Sequence, residues 1–479
     1  MPQAFQSAVT TAIQLLDESV LPIPSVAGTV PLRIAIQHIG CKLNQYEAEA
    51  FRADFQGRGY EVVPFDTDAD VYVVNTCTVT GSGDSDSRRA VRRARRQQPE
   101  AMVVATGCYA QRRPGELADA GASVVIGNGD KAGLVEHVVE RLAGQTLSPL
   151  PLPMYGAPES PIATSPRPPR TERFLQIDRV VDGGRTRGTL QIQDGCDEHC
   201  TYCIIPTVRG AGVSRPVAEV LAQAEKMVAA GYRELALTGV HSGSYGYDYD
   251  EQNALVDLLR QLERIDNLER IRLNSVEPGY VSDELIDYAT NSRHFCRHFH
   301  IPLQSGHDGT LRRMGRRYST AEYADRVRQI AAAIPGCALG ADVMVGFPGE
   351  TDEDHESTRH FLEEMPLTYL HVFSYSLRDG TPAERLSGQT PHALKKSRAR
   401  ELIDLGLAKR LDFHRAQIGS QVQVLMEEIT NDGLATGLTD NYLRVRYESG
   451  PHSASNRFDT VLVTQAREDV LFGEVVLQT

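Results

Sequence analysis

Long apolar runs are missing from this chain. No stretch approaches the ~20 residues that a bilayer-crossing helix needs, which excludes a membrane-spanning reading. The first 32 residues contain no Lys or Arg but include Asp17 and Glu18. They lack the basic start of a secretory signal and the Arg-rich character of a transit peptide, so cytoplasm is the expected location. Cysteine is scarce, eight in 479 residues, too few for a disulfide scaffold. Positive charge is also short. A net charge of −13 argues against a generally cationic nucleic-acid binder, because phosphate contacts require Lys and Arg. What is present, 41% hydrophobic residues at a mean hydropathy of −0.31, is a soluble globular composition. It is long enough for about two to four domains.

Three of the scarce cysteines stand together. Cys196, Cys200 and Cys203 form a C-x3-C-x2-C loop in the run from Gln193 to Cys203. Thiolates are the usual ligands of iron–sulfur clusters, and a four-iron cube offers four positions. Three cysteines leave one iron open, as a catalytic metal site keeps a position free for substrate. Zinc is the competing reading. Zinc loops typically come as paired C-x2-4-C units or with a ligating histidine, and His199, between Cys196 and Cys200, is awkwardly placed to complete a tetrahedron. A disulfide would leave an odd thiol.

The chain divides into five segments. Residues 1–30 carry no pattern and read as a poorly ordered extension. Within 31–142, strands are predicted at Arg33–His38, Val71–Asn75, Met102–Thr106 and Ser123–Ile126. Helices are predicted near Asn44–Phe55, Asp84–Gln97 and Gly115–Ala120. This alternation implies a parallel α/β sheet. Cys41, Cys77 and Cys108 each follow one of the first three strands, 36 and 31 residues apart. The carboxyl ends of parallel strands share one edge, where ligands bind, so the three thiols should converge and ligate a second cluster. Residues 143–181 form a linker, with eight prolines between Pro149 and Pro169 that cannot hold a helix.

From 182 to 416 a second βα series is predicted. Its strands are Thr189–Gln193, Glu234–Thr238, Arg272–Ser275, Arg297–Leu303, Leu339–Val345 and Tyr369–Tyr375. Six units make a partial (β/α)6 TIM-like barrel, with Cys203 in the loop after its first strand, at the face where barrels place chemistry. Cys296 and Cys337 match no ligand spacing and read as structural. From 417 to 479 the period switches to alternation around Gln421–Leu425, Tyr442–Tyr447, Thr460–Val463 and Gly473–Leu477, predicting a small antiparallel β-barrel.

The cysteine loop, with Tyr202 just before its last cysteine, resembles the signature of the radical S-adenosylmethionine (SAM) enzymes. In that superfamily the open iron chelates the amino and carboxylate groups of SAM. One electron then cleaves the sulfonium to a 5′-deoxyadenosyl radical. From Arg33 to the C-terminus, outside the proline linker, the chain resembles the methylthiotransferases, whose last domain is the TRAM barrel. Gly40–Tyr46, Asn75–Thr80, Gly107–Gln111, Thr238–Gly246 and His371–Ser376 look most like the branch acting on threonylcarbamoyladenosine in tRNA.

The resemblance implies two [4Fe-4S] clusters, one on Cys196, Cys200 and Cys203 and one on Cys41, Cys77 and Cys108. The second would have an open iron that carries an added sulfur. One SAM would methylate that sulfur and another would generate the radical that activates C2 of the adenine. Thr238, Gly239, Glu277 and Gln304 are the candidate SAM contacts, although Gly239 could merely permit a turn and Glu277 could pair with an arginine. An electron donor such as flavodoxin or ferredoxin is expected, and the sulfur donor is open.

Arg88, Arg89, Arg92, Arg93, Arg95 and Arg96 on one predicted helix are candidate RNA contacts. A solvated helix face is the plainer reading of such a run, as it is for Arg312, Arg313, Arg316 and Arg317. Residues 418–479 hold nine acidic and four basic side chains, poor electrostatics for gripping RNA. The alternatives are the isopentenyladenosine branch, the ribosomal-protein branch, or a non-catalytic metal-stabilised RNA-binding protein.

Overall fold

The computed structural model describes residues 31–143, 162–163, 174–177, 186–251, 253–450 and 454–476. The extension expected at 1–30, and most of the proline-rich stretch, lie outside the described residues. The chain first builds a wholly parallel sheet. Its strands are β1 (Arg33–His38), β2 (Glu61–Val63), β3 (Val71–Thr76), β4 (Met102–Gly107), β5 (Val124–Ile126) and β6 (Ile162–Ala163), in the order β2-β1-β3-β4-β5-β6. β3 is buried at all six residues, as continuous β-branched runs are in a parallel sheet covered on both faces.

Phe51 and Phe55 from helix Lys42–Gly57 cover one face with Leu134 and Val138, and Ala90, Val91 and Ala94 from helix Gly81–Gln97 cover the other. Full burial of such a large apolar side chain contributes about 1.5–3 kcal/mol. The Gly81–Gln97 helix starts at Thr80, whose side chain accepts a hydrogen bond from the Gly83 amide, satisfying one orphan donor of the first turn.

Two features of this sheet differ from the sequence reading. β2 is a three-residue strand too short to leave a pattern, yet it places the reversal of strand order between β1 and β3. Ligands bind at such a switch point, outside the carboxyl ends of the strands. The proline-rich stretch also does more than space domains. β6 extends the sheet beside β5, and residues 174–177 are clamped: Leu175 O accepts from the Tyr46 hydroxyl (2.7 Å), and Gln223 exchanges two hydrogen bonds with the Ile177 backbone.

The next unit is the open barrel. Strands β7 (Arg187–Gln191), β10 (Glu234–Thr238) and β11 (Arg270–Leu273) form one parallel sheet. β12 (His298–His300), β13 (Ala338–Val345) and β14 (Tyr369–Ser374) form a second, and a lone bridge from Ile271 to Phe295 joins them. Between β7 and β10 lies a small antiparallel ribbon, β8 (Gln193–Asp194) with β9 (Val213–Ser214), which brackets the cysteine loop. The core includes Leu190, Leu237, Ile271, Phe299, Leu339 and Leu402. Leu402 lies on helix His392–Arg415, which the sequence reading did not anticipate. Cys296 and Cys337 are buried, in keeping with a structural role.

The C-terminal strands β15 (Gln421–Ile429), β16 (Leu434–Thr439), β17 (Arg444–Glu448), β18 (Phe458–Ala466) and β19 (Leu471–Val475) close a barrel in the order β15-β16-β17-β19-β18. It is antiparallel except where β17 pairs with β19 in parallel. The barrel docks on the core through arginines. Arg270 and Arg272 donate to the carbonyls of Gln423, Leu438, Thr439 and Asp440, while Arg297 pairs with Asp440 at 2.6 Å and Arg187 with Glu427 at 2.8 Å. Part of the barrel's acidity is therefore used in holding it to the core.

Candidate active site

Cys41, Cys77 and Cys108 leave the carboxyl ends of β1, β3 and β4 and share one cavity of about 390 Å³ with Thr238, Gly239, His300, Asp342 and Tyr442. Gly40 makes the convergence possible. Its φ is +89°, and a Cβ there would stand 2.6 Å from Cys77 Sγ, so only glycine fits. All eight cysteines are free thiols. Burial pushes the Cys77 thiol up to about 12, with Cys108 and Cys41 adding to the rise, and it likewise raises Cys41. Three converging thiols that form no disulfide are a donor set suited to a cationic iron–sulfur group.

The second triad sits on the loop between β8 and β9. Burial raises Cys196 to about 12 and Cys203 to about 11. The Glu198 amide donates to Cys196 Sγ (3.4 Å) and Arg316 Nη1 to Cys200 Sγ (3.2 Å). Arg316 also pairs with Glu277 and donates from Nε to the Tyr318 hydroxyl. Glu277 is thereby held beside Cys200, as the arginine-pairing alternative foresaw.

Of the other candidate SAM contacts, Thr238 and Gly239 line the cavity. A Cβ at Gly239 would meet the Gln193 side chain at 2.9 Å. Gln304 lies at a left-handed φ of +69°, and its buried Oε1 finds no partner among the described residues. An ammonium or hydroxyl of a bound ligand would satisfy it.

The two triads are adjacent. Cys108 packs with Ile204 and Val208, just beyond Cys203. Arg209, from the same loop, donates Nε to Cys108 Sγ at 3.2 Å, and Asn128 donates to Cys108 Sγ (3.7 Å) and to Val208 O (2.7 Å). Behind them lies a buried ionic knot. Arg209 Nη1 is 3.0 Å from both Glu47 Oε1 and Asp194 Oδ1, Nη2 donates to Asn44 Oδ1 at 2.9 Å, and Lys131 Nζ reaches Glu47 at 2.5 Å and Asp194 at 3.4 Å. Burial alone would raise both carboxyls. Arg209 and Lys131 outweigh it, lowering Glu47 and holding Asp194 at about 2.

Sequence reasoning gave none of these residues a role. One signal was available: Glu47 lies four residues from both Leu43 and Phe51, on the buried face of its helix, where a carboxylate must be paired.

The arginine helix divides. Arg95 donates to the carbonyls of Pro99, Ala101 and Gly121 and to Ser123 Oγ, and Arg88 bonds the Tyr109 hydroxyl and Glu116. Both are turned to the protein. Arg89, Arg92, Arg93 and Arg96 are exposed, although Arg89 pairs with Asp86 and Arg93 with the Gln37 side chain.

A parallel open barrel with three thiols in its first loop defines a radical SAM enzyme, and residues 190–362 match the Radical SAM superfamily while 33–127 match the uncharacterized protein family UPF0004. A threonylcarbamoyladenosine tRNA methylthiotransferase of Bacillus subtilis (strain 168) is 38% identical over 421 residues, 87% of this chain and 90% of that one. A tRNA-2-methylthio-N(6)-dimethylallyladenosine synthase of Desulfitobacterium hafniense (strain Y51) is 31% identical, over 93% and 98%. The chain belongs to the methylthiotransferase family of radical SAM enzymes. Among solved structures, the radical SAM methyltransferase TsrM from Kitasatospora setae, with tryptophan and a SAM analogue, shares the fold. Its TM-score is 0.54 at 16% identity, covering 81% of this chain and 90% of that one. No described helix is long and apolar enough to cross a membrane.

Proposed function

We propose that this enzyme adds a methylthio group to C2 of N6-threonylcarbamoyladenosine immediately 3′ of the anticodon in tRNA, consuming two SAM molecules. The observation that supports the reading is the packing of Cys108, from the first triad, against the loop that carries the second, to which Arg209 and Asn128 tie it. Methylthiolation of an unactivated aromatic C–H needs a radical oxidant, a sulfur donor and a methyl donor, and two neighbouring [4Fe-4S] clusters separate those roles. Closed structural sites, the non-catalytic alternative, are normally four-coordinate in protein ligands, and neither triad has a fourth cysteine. The greater identity to the threonylcarbamoyladenosine relative than to the dimethylallyladenosine one supports the branch.

In this reading Cys196, Cys200 and Cys203 hold the cluster that supplies the electron for SAM cleavage, and Cys41, Cys77 and Cys108 hold the cluster that supplies sulfur. Arg316 and the Glu198 amide offset charge on the first set of thiolates. Arg209 and Asn128 do so for Cys108, since hydrogen bonds to a charged form favour it. Thr238, Gly239, Glu277 and Gln304 would hold SAM, with Gln304 Oε1 as an acceptor fixed by its buried backbone. Arg89, Arg92, Arg93 and Arg96 would contact tRNA phosphates, which position a substrate without reading its sequence. We place the enzyme in the cytoplasm, reduced by a donor such as flavodoxin or ferredoxin. Mass spectrometry of tRNA nucleosides from cells lacking this chain tests the reading: the methylthio group should vanish from threonylcarbamoyladenosine alone. Loss from isopentenyladenosine or from a ribosomal protein instead would move the enzyme to another branch.

A further inference from the structure

The cavity that receives the thiols of Cys41, Cys77 and Cys108 has a second, polar wall. Lys42, the residue after Cys41, projects into it beside Asn274, His298, His300, Asp342, Tyr369, His371 and Tyr442. The Lys42 ammonium donates to the neutral Asn274 Oδ1 at 3.0 Å and lies 5.9 Å from the Tyr442 ring centroid. Among the described residues no carboxylate lies within ion-pair distance of it. Asp342 stands on the same wall, engaged by His300 Nε2 at 3.0 Å and by His371 Nδ1 at 3.5 Å. The other nitrogen of His300 meets the Tyr369 hydroxyl at 3.1 Å, which His298 Nε2 also contacts at 2.7 Å. The side chains of His371 and Asp342 keep 62% and 28% of their surface accessible, so this wall is open to a ligand. It sets polar groups against a cavity otherwise lined by Leu43, Val79 and Val240. The cavity volume is within the range of small-ligand sites, ~300–1,000 Å³.

We propose that Lys42 reads the carboxylate of the threonyl group of the substrate, while Asp342, oriented by His300 and His371, accepts an N–H or O–H of the same substituent. The proposal rests on the substrate named above and deepens it by assigning the residues that discriminate. An adenosine with an apolar N6 tail would desolvate the Lys42 ammonium without supplying it an anion, a penalty that makes polar sites reject analogues lacking the group. Lys42 also follows a proposed cluster ligand directly, so a carboxylate held there would fix the base against the sulfur-bearing end of the cavity.

The test uses the reconstituted holoenzyme and two anticodon stem-loop RNAs, one bearing the threonylcarbamoyl group and one with its carboxylate capped as the neutral methylamide. Wild-type kcat/KM for methylthiolation should favour the free acid by about 10- to 100-fold, the value of a charge-assisted hydrogen bond. Lys42→Gln should erase that preference by slowing the acid and sparing the amide, and Lys42→Arg should keep most of it. A purely structural role would lower both RNAs equally and leave the ratio intact, which overturns the proposal. If Lys42→Gln turns over neither RNA, the same ratio is read from their dissociation constants by fluorescence anisotropy. An unchanged binding ratio overturns the proposal equally. A wild-type enzyme inactive on both RNAs overturns the underlying substrate reading instead.

Discussion

Replacing Arg209 with Met probes the contact between the two triads. The four groups of the buried knot, Arg209, Lys131, Glu47 and Asp194, are each at most 6% exposed, and their charges balance. Arg209→Met keeps much of the volume but leaves two carboxylates facing one ammonium. Breaking a buried pair from one side costs about 3–5 kcal/mol, because the remaining charge is uncompensated.

The pH dependence gives a second signature. In the wild type, Asp194 titrates at about 2 and Glu47 is also lowered. Their contribution is complete above the unfolded carboxyl pKa of ~4 and is lost only as pH falls through the folded value. In the variant, burial dominates for one carboxyl, its pKa rises, and the stability it retains is lost as pH rises through that raised value. The destabilisation should therefore be largest near pH 7.5 and shrink toward pH 5. Native-state hydrogen exchange of the peptides covering 33–57 and 190–215 reads the local opening free energy. Adding Glu47→Gln to Arg209→Met should recover part of the loss, since partners in one network are not additive. A change under about 1 kcal/mol at pH 7.5, the range of an exposed pair, or a loss that grows at pH 5, would refute the account.

Alanine at Cys196, Cys200 or Cys203 should abolish 5′-deoxyadenosine formation yet leave about four irons per chain on the other triad. Alanine at Cys41, Cys77 or Cys108 should keep 5′-deoxyadenosine and remove methylthiolated product; chromatography and iron assay decide both. Changing Arg89, Arg92 and Arg96 together to Glu should weaken tRNA binding and flatten its salt dependence by about 0.9 in log–log slope per lost phosphate contact. Arg95→Ala should leave that slope alone, and an unchanged slope in the triple variant removes this helix from the footprint. Arg272→Met strips a buried guanidinium from Glu234 and from the carbonyls of Thr439 and Asp440. It should destabilise barrel docking by about 3–5 kcal/mol, seen as faster proteolysis near 416–420; an unaltered cleavage rate would show that the remaining arginines suffice.

The sequence by itself determined the alternation of strands and helices, the switch to period two after Ile418, and the position of six cysteines after strands or in one tight loop. These are local matters. Side-chain period and ligand spacing are written within a few residues, and parallel topology then sends Cys41, Cys77 and Cys108 to one edge although they are 36 and 31 residues apart. What only the tertiary structure decided was which charges meet. Arg209 and Glu47 are 162 residues apart, Lys131 and Asp194 63, and Arg272 and Thr439 167, and no periodicity links such pairs. Their pairing follows from packing, which removes water and so makes each buried charge find a partner. The same packing turned Arg88 and Arg95 inward while leaving Arg92 and Arg96 in solvent, used the barrel's acids for docking, and left Lys42 with no carboxylate at ion-pair distance among the described residues. Sequence placed the thiols; packing decided which groups surround them.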